Sequence, residues 1–384
     1  MSEVRVNNLS NENNTGGPTI SGITTYSGRH FFVPPQGDTA SRPSDCEPGS
    51  LRFNTDTAHL EYFRGNTIGW TEIEAELTEP LGGGTGSNVG LGHRAVFSVG
   101  QRSPSGYVTD IDFMTISTLG NAQDFGNAGV TRDKLGSGGD RTRGLFIGGE
   151  GVVDTIEFIT FASTGDATDF GNIGHGNQMR FCAGCSSSTR TIFGGGYTGP
   201  AAYNILEFVT TQSTGNGVDY GDLLEQTNAP AACSSSTRGI FAGGDNVNYS
   251  AKKDTIQFFT MSSTGNTTDF GDLTQSKSQF SGGSNSTRGL FFGGFTPSQV
   301  NNIDFITIAT AGNASDFGDT TNIKSRTAVA TSPTRALSMN GYGPGALNII
   351  DFVEIATTGN AVDFGDTLEA SGGGAACSSG HGGL

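Results

Sequence analysis

The feature that most constrains the fold of this chain is an internal repeat of about 48 residues that runs from residue 94 onward. Each unit opens with an arginine, an apolar run and glycine, as in RGLFIGG from Arg143 and RGLFFGG from Arg288. The opening arginines stand 47 to 50 residues apart, at Arg94, Arg143, Arg190, Arg238, Arg288 and Arg335. Units of this length belong to architectures in which each unit buries its apolar face against its neighbours.

The content of each unit predicts four short strands. Segments such as DTIEFIT, from Asp154, are rich in β-branched and aromatic residues, and no segment keeps a helical period. Pairs such as Gly215–Asn216 are typical of tight turns with positive φ. Four strands in 40 to 50 residues are the signature of a propeller blade. The sequence therefore predicts an all-β, six-bladed β-propeller over residues 94–384.

The repeat also predicts where each strand of a blade lies. We expect the arginine-led strand near the central channel, where glycine permits close approach of backbones. Stretches of small and hydroxyl residues, such as AACSSS from Ala231, are expected to form an exposed fourth strand at the outer edge. The last unit looks complete from its own sequence, which ends GGGAACSSGHGGL, although GHGGL could run beside the first blade.

Composition excludes several classes of protein. Glycine accounts for 61 of 384 residues, too many for a helical chain. No apolar run is long enough to span a bilayer, and the opening MSEVRVNNLS is no secretory signal, so we expect no membrane insertion. A net charge of −16 argues against nucleic-acid binding. Five cysteines without a signal peptide favour reduced thiols.

The region before the repeat divides into three parts. Residues 1–48 read as an extended arm, residues 49–79 as a β-meander, and residues 80–93 as a glycine-rich linker. The meander is too small to be stable alone, so we expect it to pack on copies of itself or on a partner, with a trimer favoured. Its apolar residues are Phe53, Leu60, Tyr62, Phe63 and Trp70.

No pattern of residues predicts catalysis, a cofactor or a metal. Asp-Phe-Gly, as at Asp269, recurs once in most units without a phosphate loop, so it reads as a turn. The pair Cys182 and Cys185 has no second pair at zinc-finger spacing. Calcium at paired aspartates stays an alternative. The candidate calcium pairs are Asp219 with Asp222 and Asp269 with Asp272.

The best candidate binding surface lies where the repeat fails to repeat. Loops of different length follow the glycine pairs and should emerge on one face of the ring. Tyrosines on such loops give contact area at low entropy cost. Loop drift without function is the alternative. The loop tyrosines are Tyr107, Tyr197, Tyr203, Tyr249 and Tyr342.

Two segments resemble known protein families. The meander GSLRFNTDTAHLEYFRGNTIGWTEIE resembles a segment of structural proteins of tailed bacteriophages, especially tail-fibre-like proteins. The repeat, with RGLFIGG and DTIEFIT, is similar to the kelch-like repeat of virion proteins of phages that infect marine cyanobacteria. Kelch repeats carry Tyr and Trp after the glycine pair, whereas here Phe fills the apolar positions and Trp70 lies outside the repeat.

The resemblance implies a virion structural protein, assembled in the host cytoplasm, that joins other virion proteins through its N-terminal region. The favoured expectation is a tail fibre or related appendage whose propeller contacts a host surface glycan or protein. One alternative is a capsid-decorating or purely structural propeller without a receptor role. A glycan hydrolase is a further alternative, although we expect no enzyme.

Overall fold

All regular structure in the described part of the chain is β-strand, which confirms the all-β prediction. The computed structural model describes residues 34–44, 46–57, 59–72, 92–102, 106–151, 154–176, 178–199, 201–246 and 250–384. The chain divides into two compact units, Met1–Leu77 and Thr78–Leu384. No helix in the described ranges is long and apolar enough to cross a membrane.

The N-terminal unit contains one four-stranded sheet. The predicted three-stranded meander is present, and a short additional strand pairs with it in parallel. Residues 1–33 and 73–91, which hold most of the predicted arm and linker, lie outside the described residues. The strands, in sheet order, are Gln36–Gly37, Leu51–Asn54, His59–Phe63 and Trp70–Glu72.

The C-terminal unit consists of six four-stranded antiparallel groups, one for each repeat. One strand from each group lines a common cavity and is here called the inner strand. The others are called second, third and outer, in their order across the group away from the cavity. Groups 2 to 5 are separate sheets, and none of the sheets in the described part closes on itself.

The strands follow the repeat in register. The inner strands of groups 2 to 6 are Gly136–Gly139, Ala183–Ser186, Ala231–Ser234, Ser281–Ser284 and Ala328–Thr331. The second strands are Arg94–Arg102, Arg143–Ile147, Arg190–Gly194, Arg238–Gly244, Arg288–Phe295 and Arg335–Met339. The third strands are Asp110–Thr115, Thr155–Thr160, Ile205–Thr210, Lys253–Thr260, Gln299–Thr307 and Leu347–Glu354. The outer strands of groups 1 to 5 are Gln123–Asn127, Thr168–Asn172, Val218–Asp222, Thr268–Asp272 and Ser315–Asp319. Three two-residue strands border the loops, namely Gly106–Tyr107, Tyr197–Thr198 and Ala201–Ala202.

One long strand, Val362–Ser378, belongs to two groups. Its first part pairs with Leu347–Glu354 as the outer strand of group 6. Its last part, from Ser371, pairs with Arg94–Arg102 as the inner strand of group 1. The expectation that the last unit is complete from its own sequence is therefore wrong, because its small-residue stretch completes the first group.

The small-residue stretches are inner strands, so the prediction of an exposed outer edge is wrong. The arginine-led strands lie second in each group, so the prediction that they stand nearest the channel is wrong as well. Six strands converge around the cavity, and only small side chains fit between neighbouring backbones. The hydroxyl at the last position of an inner strand is buried and bonds the preceding inner strand. Ser234 Oγ donates to Ser186 O at 2.7 Å, and Ser284 Oγ donates to Ser234 O at 2.6 Å. Thr331 continues this series by donating to Ser284 O at 2.8 Å.

Asp-Phe-Gly lies in the outer strands, so the prediction that it forms a turn is wrong. The phenylalanine, such as Phe270, is buried, and Gly271 has a φ of +147°. A side chain at Gly271 would collide with the backbone of Gly312 in the loop of the next group. The asparagine of that loop, Asn313, accepts a hydrogen bond from Asp272 N at 3.1 Å. The Gly–Asn pairs therefore join neighbouring groups, and Asn216 does not have the positive φ expected for it.

The repeated arginines also join neighbouring groups. Each guanidinium lies over a phenylalanine of its own third strand, at 4.8 Å for Arg238 and Phe258. Each also donates to a carbonyl of the following group, as Arg238 does to Ala309 O at 2.8 Å. Arg335 of group 6 donates to Ser117 O of group 1 at 3.1 Å. The series of arginine bonds thus returns from the last repeat to the first.

Candidate functional site

Six residues with positive φ surround one end of the cavity and are joined by backbone hydrogen bonds. Five of them stand two residues before an inner strand, and Gly373 holds the equivalent position inside the long strand Val362–Ser378. Each donates its N–H to the equivalent carbonyl of the preceding group. The donor–acceptor distances lie between 2.5 and 3.2 Å, and Lys134 N donates back to Gly373 O. The ring consists of Lys134, Phe181, Ala229, Gln279, Arg326 and Gly373.

Side chains of this ring form a cluster of aromatic and cationic groups. The Lys134 ammonium lies 5.1 Å from the Phe181 ring centroid, and the Arg326 guanidinium lies 5.4 Å from the same ring. Phe181 stacks on Tyr197 at 6.3 Å with an interplanar angle of 22°. Arg326 also lies 5.6 Å from the Tyr342 ring. Two variable loops therefore bring tyrosines to the end of the cavity.

The loops reach this end because backbone bridges hold them against the residues just before the ring. Tyr197 bridges Arg180, and Tyr342 bridges Ser325. Connections between strands alternate between the two ends of each antiparallel group. The loops that follow the second strands and the segments that precede the inner strands therefore share one face.

Glu150 holds two cations of this cluster. Its carboxylate accepts from the Lys134 ammonium and lies 3.3 Å from Arg180 Nη1. Burial raises the pKa of Glu150, but the hydrogen bond from Lys134 and the charges of Lys134, Arg180 and Arg326 together keep it below its usual value. Arg180 in turn lies 5.8 Å from the Tyr197 ring. The carboxylate thus orients two cations beside an aromatic ring.

A buried carboxyl, Asp133, lies beneath the same cluster. Within the described residues, neither of its oxygens has a hydrogen-bond partner, and the side chain is fully buried. Burial raises its pKa to about 6, against the attraction of Lys134. Burial also raises the pKa of Tyr107, with Asp133 and Glu150 adding to the shift. Tyr107 thus belongs to the same electrostatic neighbourhood.

The structure brings together three of the five predicted loop tyrosines. Tyr107, Tyr197 and Tyr342 lie at the cavity end described above. Tyr203 lies apart, with its ring centroid 5.1 Å from that of His175, and packs on the core between groups 2 and 3. Tyr249 lies outside the described residues.

The three tyrosines that converge do not complete the cluster. Sequence reasoning missed Lys134, Phe181 and Arg326, because it searched the loops of variable length. The signal that could have found them is residue variation at one fixed repeat position, two residues before the inner strand.

The cavity itself has a volume of about 130 Å³ and is lined mainly by glycine, alanine, serine and cysteine. At the opposite end, His381 Nε2 donates to Gly139 O at 2.8 Å, and the backbone of Gly383 lies against Ser186 O. Burial lowers the pKa of His381 to about 4. Residues after the last strand therefore lie across that end.

The chain matches no model of a known protein family, and no curated protein matches it.

Two sets of residues were considered as metal ligands, the Cys182–Cys185 pair and the paired aspartates. Cys182 packs in the core between groups 2 and 3, and Cys185 packs in the core between groups 3 and 4. Burial raises the pKa of each thiol to about 12. Asp219 and Asp269 are exposed on outer strands. No three His, Cys, Asp or Glu side chains of the described ranges are grouped as metal ligands would be.

The apolar residues predicted for the N-terminal module lie on both faces of its sheet. Pairing places Phe53 opposite Leu60, and the neighbouring Tyr62 opposite Leu51, on one face. Phe63 and Trp70 pair on the other face, with ring centroids 5.4 Å apart. That second face also holds a buried ion pair, since Glu61 lies 2.6 Å from Arg42 and 3.4 Å from Arg52.

Proposed function

We propose that residues 94–384 form a six-bladed β-propeller and that the chain is a virion appendage protein, a tail fibre or a related part. Four series of contacts pass from group to group and return from group 6 to group 1, and they support the propeller. These are the backbone ring, the arginine bonds, the Gly–Asn contacts and the inner-strand hydroxyl bonds. The virion assignment rests on the resemblance of the meander and the repeat.

The aromatic and cationic cluster at the cavity end supports contact with a host surface glycan or protein. Tyr197 and Tyr342 offer ring faces, and Lys134, Arg180 and Arg326 offer donors around them. Sugars and peptides are both recognised by such combinations of flat apolar surface and directed hydrogen bonds. The favoured binding face is therefore the one that carries the variable loops.

Competition with phage adsorption tests this proposal. The full chain should reduce adsorption to host cells, and Tyr197→Ala with Tyr342→Ala should weaken that competition at least about tenfold. Leu119→Ala is the matched control, because Leu119 is 63% exposed in a loop at the opposite face. Wild-type protein that never competes would instead favour the alternative of a capsid-decorating or purely structural propeller.

Labelling of particles tests the virion assignment separately. Antibodies against residues 94–384 should mark an appendage of the particle, and absence of the chain from every appendage would exclude a tail fibre.

We also propose that the N-terminal unit joins copies of the chain, with a trimer favoured, and attaches them to other virion proteins. Leu51 is 47% exposed on the apolar face with Phe53, Leu60 and Tyr62, so this face lacks a full cover in the described part. Sedimentation of the full chain should give a trimer, and Leu60→Asp should reduce it to monomers. Ile68→Asp, at an exposed turn of the same unit, should leave the trimer intact.

A further inference from the structure

Every group of the C-terminal unit buries one polar side chain at the same position of its third strand. A bulge precedes each of these residues, and each is 0 to 4% exposed. The six equivalent residues are Asp112, Glu157, Glu207, Gln257, Asp304 and Asp351.

Groups 5 and 6 pair this residue with a buried lysine. In group 6, Lys324 Nζ lies 2.7 Å from Asp351 Oδ2, and Thr321 Oγ1 donates to Oδ1 at 2.5 Å. In group 5, Lys277 lies 2.9 Å from Asp304, and Thr274 donates to it as well. Both ion pairs are fully buried.

Groups 2, 3 and 4 satisfy the same position in other ways. Arg132 lies 2.7 Å from Glu157 in group 2, and His175 lies 2.7 Å from Glu207 in group 3. Group 4 has the neutral Gln257, which accepts from Thr267 Oγ1 at 2.7 Å. A buried carboxylate in these groups always has a cationic or titratable nitrogen beside it.

Group 1 keeps the carboxyl but has lost both partners. The segment GDTTNIK, residues 318–324, aligns with GDTLEAS, residues 365–371, so that Leu368 replaces the threonine and Ser371 replaces the lysine. Asp112 is 1% exposed, and neither of its oxygens has a hydrogen-bond partner in the described residues. Ser371 Oγ is already an acceptor for Asn340 Nδ2 at 2.5 Å.

The charged groups around Asp112 do not replace the missing lysine. Arg102 is the cation nearby, but it is paired with Asp110 at 3.1 Å and Glu369 at 3.3 Å. Asp110, Asp124 and Glu369 all oppose ionisation of Asp112. Burial, partly offset by Arg102, raises the pKa of Asp112 to about 7. A neutral carboxyl is far less costly to bury than an unpaired carboxylate.

We propose that the Asp112 carboxyl carries a proton in the folded chain and that its ionisation, which releases the proton to solvent, weakens group 1. The stability of this group therefore depends on pH. Group 1 is also the group completed by Ser371–Ser378, so loss of its stability loosens the strand that joins the last repeat to the first. Because the folded state binds the proton more tightly, stability falls as pH rises from about 4 through about 7.

Two variants of the full chain test this proposal. Asp112→Asn keeps a neutral group of the same shape, so the difference in urea midpoint between it and wild type should grow as pH rises from 5 to 8. Ser371→Lys with Leu368→Thr rebuilds the partners of group 6 around Asp112 and should remove the same pH dependence. Asp304→Asn is the control, because it leaves Lys277 unpaired and should destabilise at every pH in this range.

Hydrogen exchange gives a local measurement on wild type. After correction for intrinsic rates, exchange of residues 371–378 should accelerate at least about tenfold from pH 5 to pH 8, while residues 328–331 of group 6 change little. An equal pH dependence in wild type and Asp112→Asn would overturn the proposal. So would saturable stabilisation of wild type by sodium or potassium at pH 8, since a bound cation would then replace the proton.

Discussion

Arg335 Nη1 lies 3.1 Å from the carbonyl oxygen of Ser117, a residue 218 positions earlier in the chain. The same guanidinium lies 4.8 Å from the Phe352 ring of its own group. One side chain therefore fixes the third strand of group 6 and the loop of group 1. Its equivalents do the same between the other pairs of neighbouring groups.

Arg335→Met should destabilise the C-terminal unit by about 1–3 kcal/mol, because it removes a charged hydrogen bond and a cation–π contact. Urea unfolding of the full chain measures the change. Arg141→Met is the control, since Arg141 is exposed in a loop of group 2 and should change stability by less than about 0.5 kcal/mol. Equal effects of the two substitutions would refute the role given to Arg335.

Lys324→Met should cost about 3–5 kcal/mol, because it leaves the Asp351 carboxylate buried without its cation. Replacing both residues, Lys324→Met with Asp351→Leu, should restore most of that loss, since no buried charge is left. Thermal and urea unfolding at pH 7 compare the two variants. A double variant less stable than the single one would show that the pair itself is the larger contribution.

Gly271→Ala should destabilise by about 1–3 kcal/mol, because its φ is +147° and the added carbon would lie 2.5 Å from the Gly312 backbone. Gly312→Ala is a matched control in the facing loop. An added carbon at Gly312 meets nothing within 4 Å, so this variant should keep its stability within about 0.5 kcal/mol. Unfolding midpoints of the two variants decide whether the contact between groups is as tight as described.

Protonation of His381 should weaken the fold at low pH. Burial lowers its pKa to about 4, so the neutral form is favoured in the folded chain, and stability is lost as pH falls from about 6.5 toward 4. His381→Gln should remove this loss, while His59→Gln, at an exposed position, should not. Ionisation of Asp112 changes stability in the opposite direction over the same pH range. Each variant is therefore compared with wild type at the same pH.

The repeat predicted much of the fold because its period fixed which segments are equivalent. The strands around Ile156 were found from local residue types, since β-branched and aromatic residues have local conformational preferences. The placement of these strands within each group was not local information. Small hydroxyl residues such as Ser234 suit both an exposed edge and a crowded axis, and only the neighbouring groups distinguish the two.

The candidate site was predicted in part for the same reason. Tyr107, Tyr197 and Tyr342 stand in loops that break the repeat, so they were visible in the sequence. Phe181 and Arg326 stand at equivalent positions of the repeat, where its length does not vary. The two residues are 145 positions apart in sequence, and they meet only because their groups surround the same cavity. Convergence of distant repeats on one axis has no local signature.

The long strand Val362–Ser378 sets the order in which the chain can assemble. Residues 94–127 supply three strands of group 1, but their fourth strand is translated only after about 240 further residues, from position 127 to 371. During synthesis the Arg94–Arg102 strand therefore keeps an unpaired edge while groups 2 to 5 form. Such late, distant pairing slows folding and leaves an edge open to a neighbouring nascent chain. Ribosomes spaced closely on one message would thus bring together the chains most able to exchange this strand.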